Sequence, residues 1–173
     1  LRMKKIGHTG TLDPDATGVL PVCLGKATKV CGLLTDKDKT YRAVVKLGVM
    51  TNTEDMTGEI LAKHPVLVTK EQIERAVSKF VGEIEQVPPM YSAIKINGKK
   101  LYELARQGKE VERKARKVTI YGIKVLSIDF SENEFTMEVS CSKGTYIRTL
   151  CQDIGEKLGC GGGGGAVGSA PRG

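Results

Sequence analysis

The sequence predicts an α+β fold with a mixed, mainly antiparallel sheet flanked by helices, and two observations carry that expectation. Segments with strand-like and helix-like patterning are interspersed along the 173 residues with no repeated strand–helix–strand spacing, which argues against a Rossmann-type parallel sheet. Hydrophobic residues make up 40% and charged residues 27%, enough apolar material for one core in a chain of single-domain length. No internal repeat is visible.

The elements follow in order. Residues 7–25 are dense in Gly, Thr, Asp and Pro and read as a structured loop, and Ala27 to Leu34 reads as a short helix. Tyr41 to Leu47 is β-branched and semi-alternating, as a strand should be, and Gly58 to Ala62 resembles a second, short one. Thr69 followed three residues later by Gln72 fits a capping box, ahead of Ile73, Ala76, Val77 and Phe80 on one helical face. Asn97-Gly98 is a turn signal, and Lys99 to Gln107 reads as a short helix closed by Gly108. Strands are expected around Val118–Phe130 and Phe135–Cys141. Thr145 to Leu158 reads as a helix with Ile147, Leu150, Cys151 and Ile154 on one side.

Composition narrows the class further. No apolar run approaches the roughly 18 residues of a spanning helix, and no signal-like stretch follows Leu1-Arg2-Met3-Lys4-Lys5, so a cytoplasmic protein without membrane contact is expected. The five cysteines are scattered and never spaced C-x-x-C, which indicates reduced, mostly structural thiols rather than a disulfide framework or zinc knuckle. With two histidines, His8 and His64, a histidine-rich metal site is not expected. Nine of the 21 glycines fall after position 154, and the stretch 161–173 reads as a flexible or linker-like tail.

The net charge of +7 is localised. Between Lys95 and Lys124 there are ten basic and three acidic side chains, while the remainder of the chain is balanced. A concentrated basic segment suits a polyanion such as nucleic acid, and a solvated charged face is the competing reading. The absence of Trp argues against a multi-base stacking platform.

Two motifs could carry chemistry. In Gly7-His8-Thr9-Gly10-Thr11-Leu12-Asp13-Pro14-Asp15-Ala16-Thr17-Gly18-Val19-Leu20-Pro21, the glycines permit close backbone approach and Pro14 biases Asp13 toward an extended conformation. Such a loop can hold one carboxylate in a fixed direction, although Asp-Pro is also a common turn starter. Asp13 and Asp15 are too close in sequence to be assumed to face each other across a sugar, as a glycosidase pair would. In Ser142-Lys143-Gly144-Thr145-Tyr146-Ile147-Arg148, Arg148 falls in a first helical turn, where the helix dipole disfavours a cation. That placement suggests a carboxylate partner, with a surface arginine as the alternative.

Together these motifs resemble the bacterial TruB class of tRNA pseudouridine synthases. The likeness runs from Lys5 through the Asp13 loop to Pro21. It continues through Lys39-Thr-Tyr-Arg42, Gln86-Val-Pro-Pro-Met-Tyr-Ser-Ala-Ile-Lys95, Gly98-Lys-Lys-Leu-Tyr-Glu-Leu-Ala-Arg-Gln-Gly108 and Ser142 to Arg148, covering roughly residues 4–160. The resemblance implies a pseudouridine synthase-like catalytic domain in which Asp13 breaks and remakes the bond between uracil and ribose in the tRNA T-loop, at position 55. Arg148 would pair with Asp13 and keep it ionised. Tyr41 would stack on the flipped uracil with Tyr146 beside it, and His8 would help fill the space the nucleotide vacates. Lys99, Lys100, Arg106 and Lys109 would contact the T-arm. No cofactor or metal is implied, and a monomer is expected.

The resemblance also sets expectations for organisation: a catalytic domain over 1–160 lacking an N-terminal strand-and-helix segment, the Gly-rich tail over 161–173, and no C-terminal PUA-like domain. Two other functions compete. One is a guide-RNA-dependent rRNA pseudouridine synthase of the archaeal and eukaryotic kind, from which the Tyr91 to Gly108 stretch differs. The other is a non-catalytic tRNA-binding or folding module, against which the Asp13, Tyr41 and Arg148 set argues.

Overall fold

The computed structural model describes residues 4–10, 16–35, 38–51, 60–63, 65–92, 94–96 and 98–171. Its strands are β1 (Ile6–His8), β2 (Thr17–Gly18), β3 (Val22–Leu24), β4 (Lys39–Leu47), β5 (Val49–Thr51), β6 (Ile60–Lys63), β7 (Gly82–Gln86), β8 (Lys95–Ile96), β9 (Lys99–Lys100), β10 (Arg116–Asp129), β11 (Glu134–Cys141) and β12 (Gly162–Pro171). The helices are α1 (Cys31–Thr35), which continues a 3-10 turn over Gly25–Val30, α2 (Lys70–Ser78), α3 (Leu101–Ala105) and α4 (Ile147–Lys157).

A six-stranded sheet in the order β2-β12-β4-β11-β10-β7 forms the centre. Every neighbouring pair in it is antiparallel except β12 with β2, so the α+β expectation with a mixed, mainly antiparallel sheet holds. Period-two alternation builds its core face. Ala43, Val45 and Leu47 of β4 and Phe135, Met137, Val139 and Cys141 of β11 are buried together, in the register Phe135 to Val45 and Met137 to Ala43. Helices α2 (Ile73, Val77) and α4 (Ile147, Leu150, Cys151, Ile154) cover that face.

The capping box at Thr69 forms as expected. Gln72 N–H donates to the Thr69 hydroxyl at 3.3 Å, and Thr69 N–H donates to Gln72 Oε1 at 2.8 Å. The segment 7–25 carries more regular structure than a loop, because β1 and β3 pair as a short ribbon and β2 joins the central sheet. The Lys99 to Gln107 helix is shorter than expected, since Lys99–Lys100 pairs with β8 before α3 begins. Gly98 (φ 81°) sits in the turn between them and Gly108 (φ 68°) closes the helical turn, both in the left-handed region that glycine adopts freely. Asn97 lies outside the described residues.

The linker-like reading of the Gly-rich stretch is corrected. Gly162–Pro171 runs antiparallel to the whole of β4, from Gly162 opposite Leu47 to Pro171 opposite Lys39, and parallel to β2. The physical reason lies in the backbone. Strand β4 is paired with β11 on one edge only, and its other row of N–H and C=O groups needs partners that a side-chain-poor segment supplies as well as any other.

Candidate active site

Strands that lead to both candidate motifs meet at the Lys39 end of β4. Strand β11 ends there at Cys141, opposite Lys39, and β12 ends there at Pro171, also opposite Lys39. One step along the core face from Lys39 stands Tyr41, half-buried and packed against the core cluster. Its backbone pairs with Val139 on one side and Ser169 on the other, and Ser169 in turn pairs with Gly18 of β2. Gly18, Ser169, Tyr41 and Val139 thus form one row across four strands.

The Asp13 loop enters this row through β2. Its neck is closed by the Thr9 N–H donating to the Pro21 carbonyl at 3.2 Å, with Thr9 itself buried. His8, at the end of β1, is exposed and donates from Nδ1 to the Gly10 carbonyl. Asp13 lies outside the described residues. Lys39, which sequence reasoning passed over as a site residue, reaches the same loop: a Cβ placed on Gly10 would meet its Nζ at 3.7 Å. The only sequence signal for it was its place at the head of the Lys39-Thr-Tyr-Arg42 motif.

The second motif leaves β11 as a turn and becomes the start of α4. Ser142 accepts from Thr119 N–H through its hydroxyl at 2.9 Å, and Gly144 (φ 79°) makes the reversal. Tyr146 is the extended residue capping α4 (φ −96°, ψ 107°), and Arg148 is the helix's second residue. Both are half-buried. Arg148 Nη2 donates to the Tyr91 carbonyl at 3.1 Å, so its guanidinium is directed by the 86–92 segment. Cys141, beside Lys39 in the ladder, is pushed up to about 11 by burial and stays a neutral thiol near pH 7.

The basic segment is anchored to the same 86–92 region. Leu101 and Leu104 are buried, Leu101 N–H donates to the Ile94 carbonyl at 2.8 Å, and Tyr102 N–H donates to the Ser92 carbonyl at 3.1 Å. Around the Tyr102 ring, Lys100 Nζ and the Arg106 guanidinium lie 5.3 Å and 5.5 Å from the centroid, and Lys100 also donates to the phenolic oxygen at 3.2 Å. Lys99, Arg106 and Lys109 are exposed and Lys100 is half-buried. The cations therefore project from a short element tied to the main fold.

The family described as "TruB family pseudouridylate synthase (N terminal domain)" matches residues 1–147. The chain belongs to this family. Among curated TruB relatives, tRNA pseudouridine synthase B of Alkaliphilus oremlandii is 62% identical over 162 residues, covering 94% of this chain and 54% of the relative. The protein of the same name from Ralstonia pickettii is 62% identical over 161 residues, covering 92% and 51%. The chain thus spans about half the length of the curated TruB relatives it matches.

Two solved structures share the TruB-like fold. "Crystal Structure of a Cbf5-Nop10-Gar1 Complex" aligns with a TM-score of 0.69 and 32% identity, over 96% of this chain and 39% of that one. "Structure of H/ACA RNP bound to a substrate RNA containing 2'-deoxyuridine" aligns at 0.63 and 29%, over 96% and 38%. The fold is that of a pseudouridine synthase. Among the described residues, no helix is long and apolar enough to cross a membrane.

Proposed function

We propose that this chain is the catalytic part of a cytoplasmic, monomeric enzyme that isomerises uridine to pseudouridine in the T-loop of tRNA, at position 55. The reaction breaks the N1–C1′ bond of uridine and forms a C5–C1′ bond; C5 gives up a proton and N1 gains one, so no redox partner is required. Asp13 supplies the carboxylate for bond cleavage, Arg148 holds it ionised, Tyr41 stacks on the extruded uracil with Tyr146 alongside, and His8 helps fill the vacated space. Lys99, Lys100, Arg106 and Lys109 meet the phosphates of the T-arm. The catalytic unit takes in residues 1–160 together with β12 (Gly162–Pro171), which pairs with β4.

The observation that supports this most is the convergence at Lys39. Its backbone sits beside the end of β11, which leads to Tyr146 and Arg148, its side chain reaches Gly10 of the Asp13 loop, and Tyr41 follows it on the same face. The 62% identity to a relative named tRNA pseudouridine synthase B, against 32% to the matched chain of the Cbf5-Nop10-Gar1 complex, supports a tRNA substrate.

The test is incubation with unmodified tRNA transcript followed by mapping of pseudouridine. The parent should modify the T-loop uridine and not a transcript substituted there, while Asp13→Ala should bind tRNA nearly as well and form none. Equal turnover by Asp13→Ala and the parent overturns the assignment.

A further inference from the structure

Gln86, the last residue of β7, is only 2% exposed, yet its side chain does not pack as an inert core group. Both ends of its carboxamide are spent on one residue sixty positions away. Nε2 donates to the Tyr146 carbonyl at 3.1 Å, and the Tyr146 N–H donates to Oε1 at 3.0 Å. A side chain here supplies the pair of bonds that a neighbouring strand would supply, at the point where the chain leaves the sheet and α4 begins.

The position of that clamp matters because Tyr146 caps the helix. A capping residue's N–H has no acceptor inside the helix, so Gln86 supplies the acceptor that α4 itself cannot give. The Tyr146 carbonyl also accepts from Leu150 N–H at 3.1 Å, and is thereby shared between the helix and the clamp. Five residues beyond Gln86, the Tyr91 carbonyl accepts from Arg148. One short segment therefore holds Tyr146 by its main chain and Arg148 by its guanidinium.

We infer that Gln86 is a positioning residue for the isomerisation: it sets where α4 starts and so aims Tyr146 and Arg148 at the uracil and at Asp13. The inference rests on the proposed pseudouridine synthase activity. A small displacement of groups that must meet a reacting centre costs rate rather than affinity when the bulk of the binding energy comes from elsewhere, here the phosphate contacts.

Gln86→Met fills the space without either bond, and Gln86→Glu keeps the acceptor for Tyr146 N–H but loses the donor. Steady-state kinetics on tRNA, tRNA binding, melting temperature and hydrogen exchange of residues 142–150 are compared with the parent. The expected result is a kcat lowered by up to about 100-fold in Gln86→Met with KM and tRNA affinity within about twofold, a smaller loss in Gln86→Glu, and faster exchange confined to the start of α4. Parental kcat in either folded variant, or a loss in kcat no different from that of an equally destabilised core variant such as Ile73→Val, overturns the positioning role. A parent that forms no pseudouridine overturns instead the activity on which the role rests.

Discussion

Gly155 of α4 lies directly against Gly162 of β12, backbone to backbone. A Cβ on Gly155 would come within 2.5 Å of the Gly161 carbonyl carbon, and one on Gly162 would stand 3.0 Å from Gly155 Cα and 3.2 Å from the Cys151 carbonyl oxygen. Neither obstacle is a flexible side chain that could move aside. The helix that carries Tyr146 and Arg148 is thus seated on the strand that joins the Asp13 loop to Tyr41, at a distance only two glycines allow.

Gly155→Ala should accordingly destabilise the fold by about 1–3 kcal/mol, the usual cost of forcing a methyl group into a filled space. Gly122 is the control, since a Cβ there meets nothing within 4 Å. Chemical denaturation of both variants checks this: Gly155→Ala should lose stability and Gly122→Ala should not. Equal midpoints would mean that helix and strand do not touch.

The basic segment makes a prediction about salt. Replacing Lys99, Lys100 and Arg106 by Gln should weaken tRNA binding and reduce the slope of log affinity against log salt by roughly 0.7–0.9 for each phosphate no longer neutralised. The Tyr102 ring, flanked by two of these cations, remains in place and keeps the local packing comparable. A slope equal to the parent's removes the segment from the RNA interface.

Buried thiols make stability depend on alkaline pH. Burial pushes Cys141 from its ordinary 9.0 up to about 11 and Cys151 up to about 12. Below pH 9 both thiols are neutral in the folded and unfolded chain. Above it the unfolded chain ionises while the folded one holds its protons, so stability falls as pH rises, by about 1.4 kcal/mol per pH unit for each thiol. Urea unfolding between pH 8 and 10.5 should show that fall in the parent and a shallower one in the Cys141→Ala, Cys151→Ala double variant. Identical pH slopes in the two proteins would refute the burial argument.

Much of the fold is legible locally. Thr69 and Gln72 announce the start of α2 because a cap is satisfied by residues three apart, and the alternation in 41–47 and 135–141 shows which face of each strand is buried because side-chain direction has a period of two. The Ser142 to Arg148 motif was recognisable as a strand-to-helix transition for the same reason. Short strands such as β7 and β9 were missed, since a few charged residues pair only when a neighbour offers its edge.

Sequence alone determined the family motifs, the basic segment and the α+β class, because each is written in residue identities or in spacings of a few positions. Tertiary structure alone decided three relationships: the Gln86 clamp on Tyr146, the reach of Lys39 to Gly10, and the entry of the Gly-rich stretch between β2 and β4. Each joins segments about 30 to 150 residues apart through backbone or polar groups that leave no periodic trace. Glycine is the extreme case. Without a side chain, Gly162 to Gly165 carry no hydrophobic pattern to read, and what makes them a strand is the unpaired edge of β4 alongside and, at Gly162, the close approach of α4.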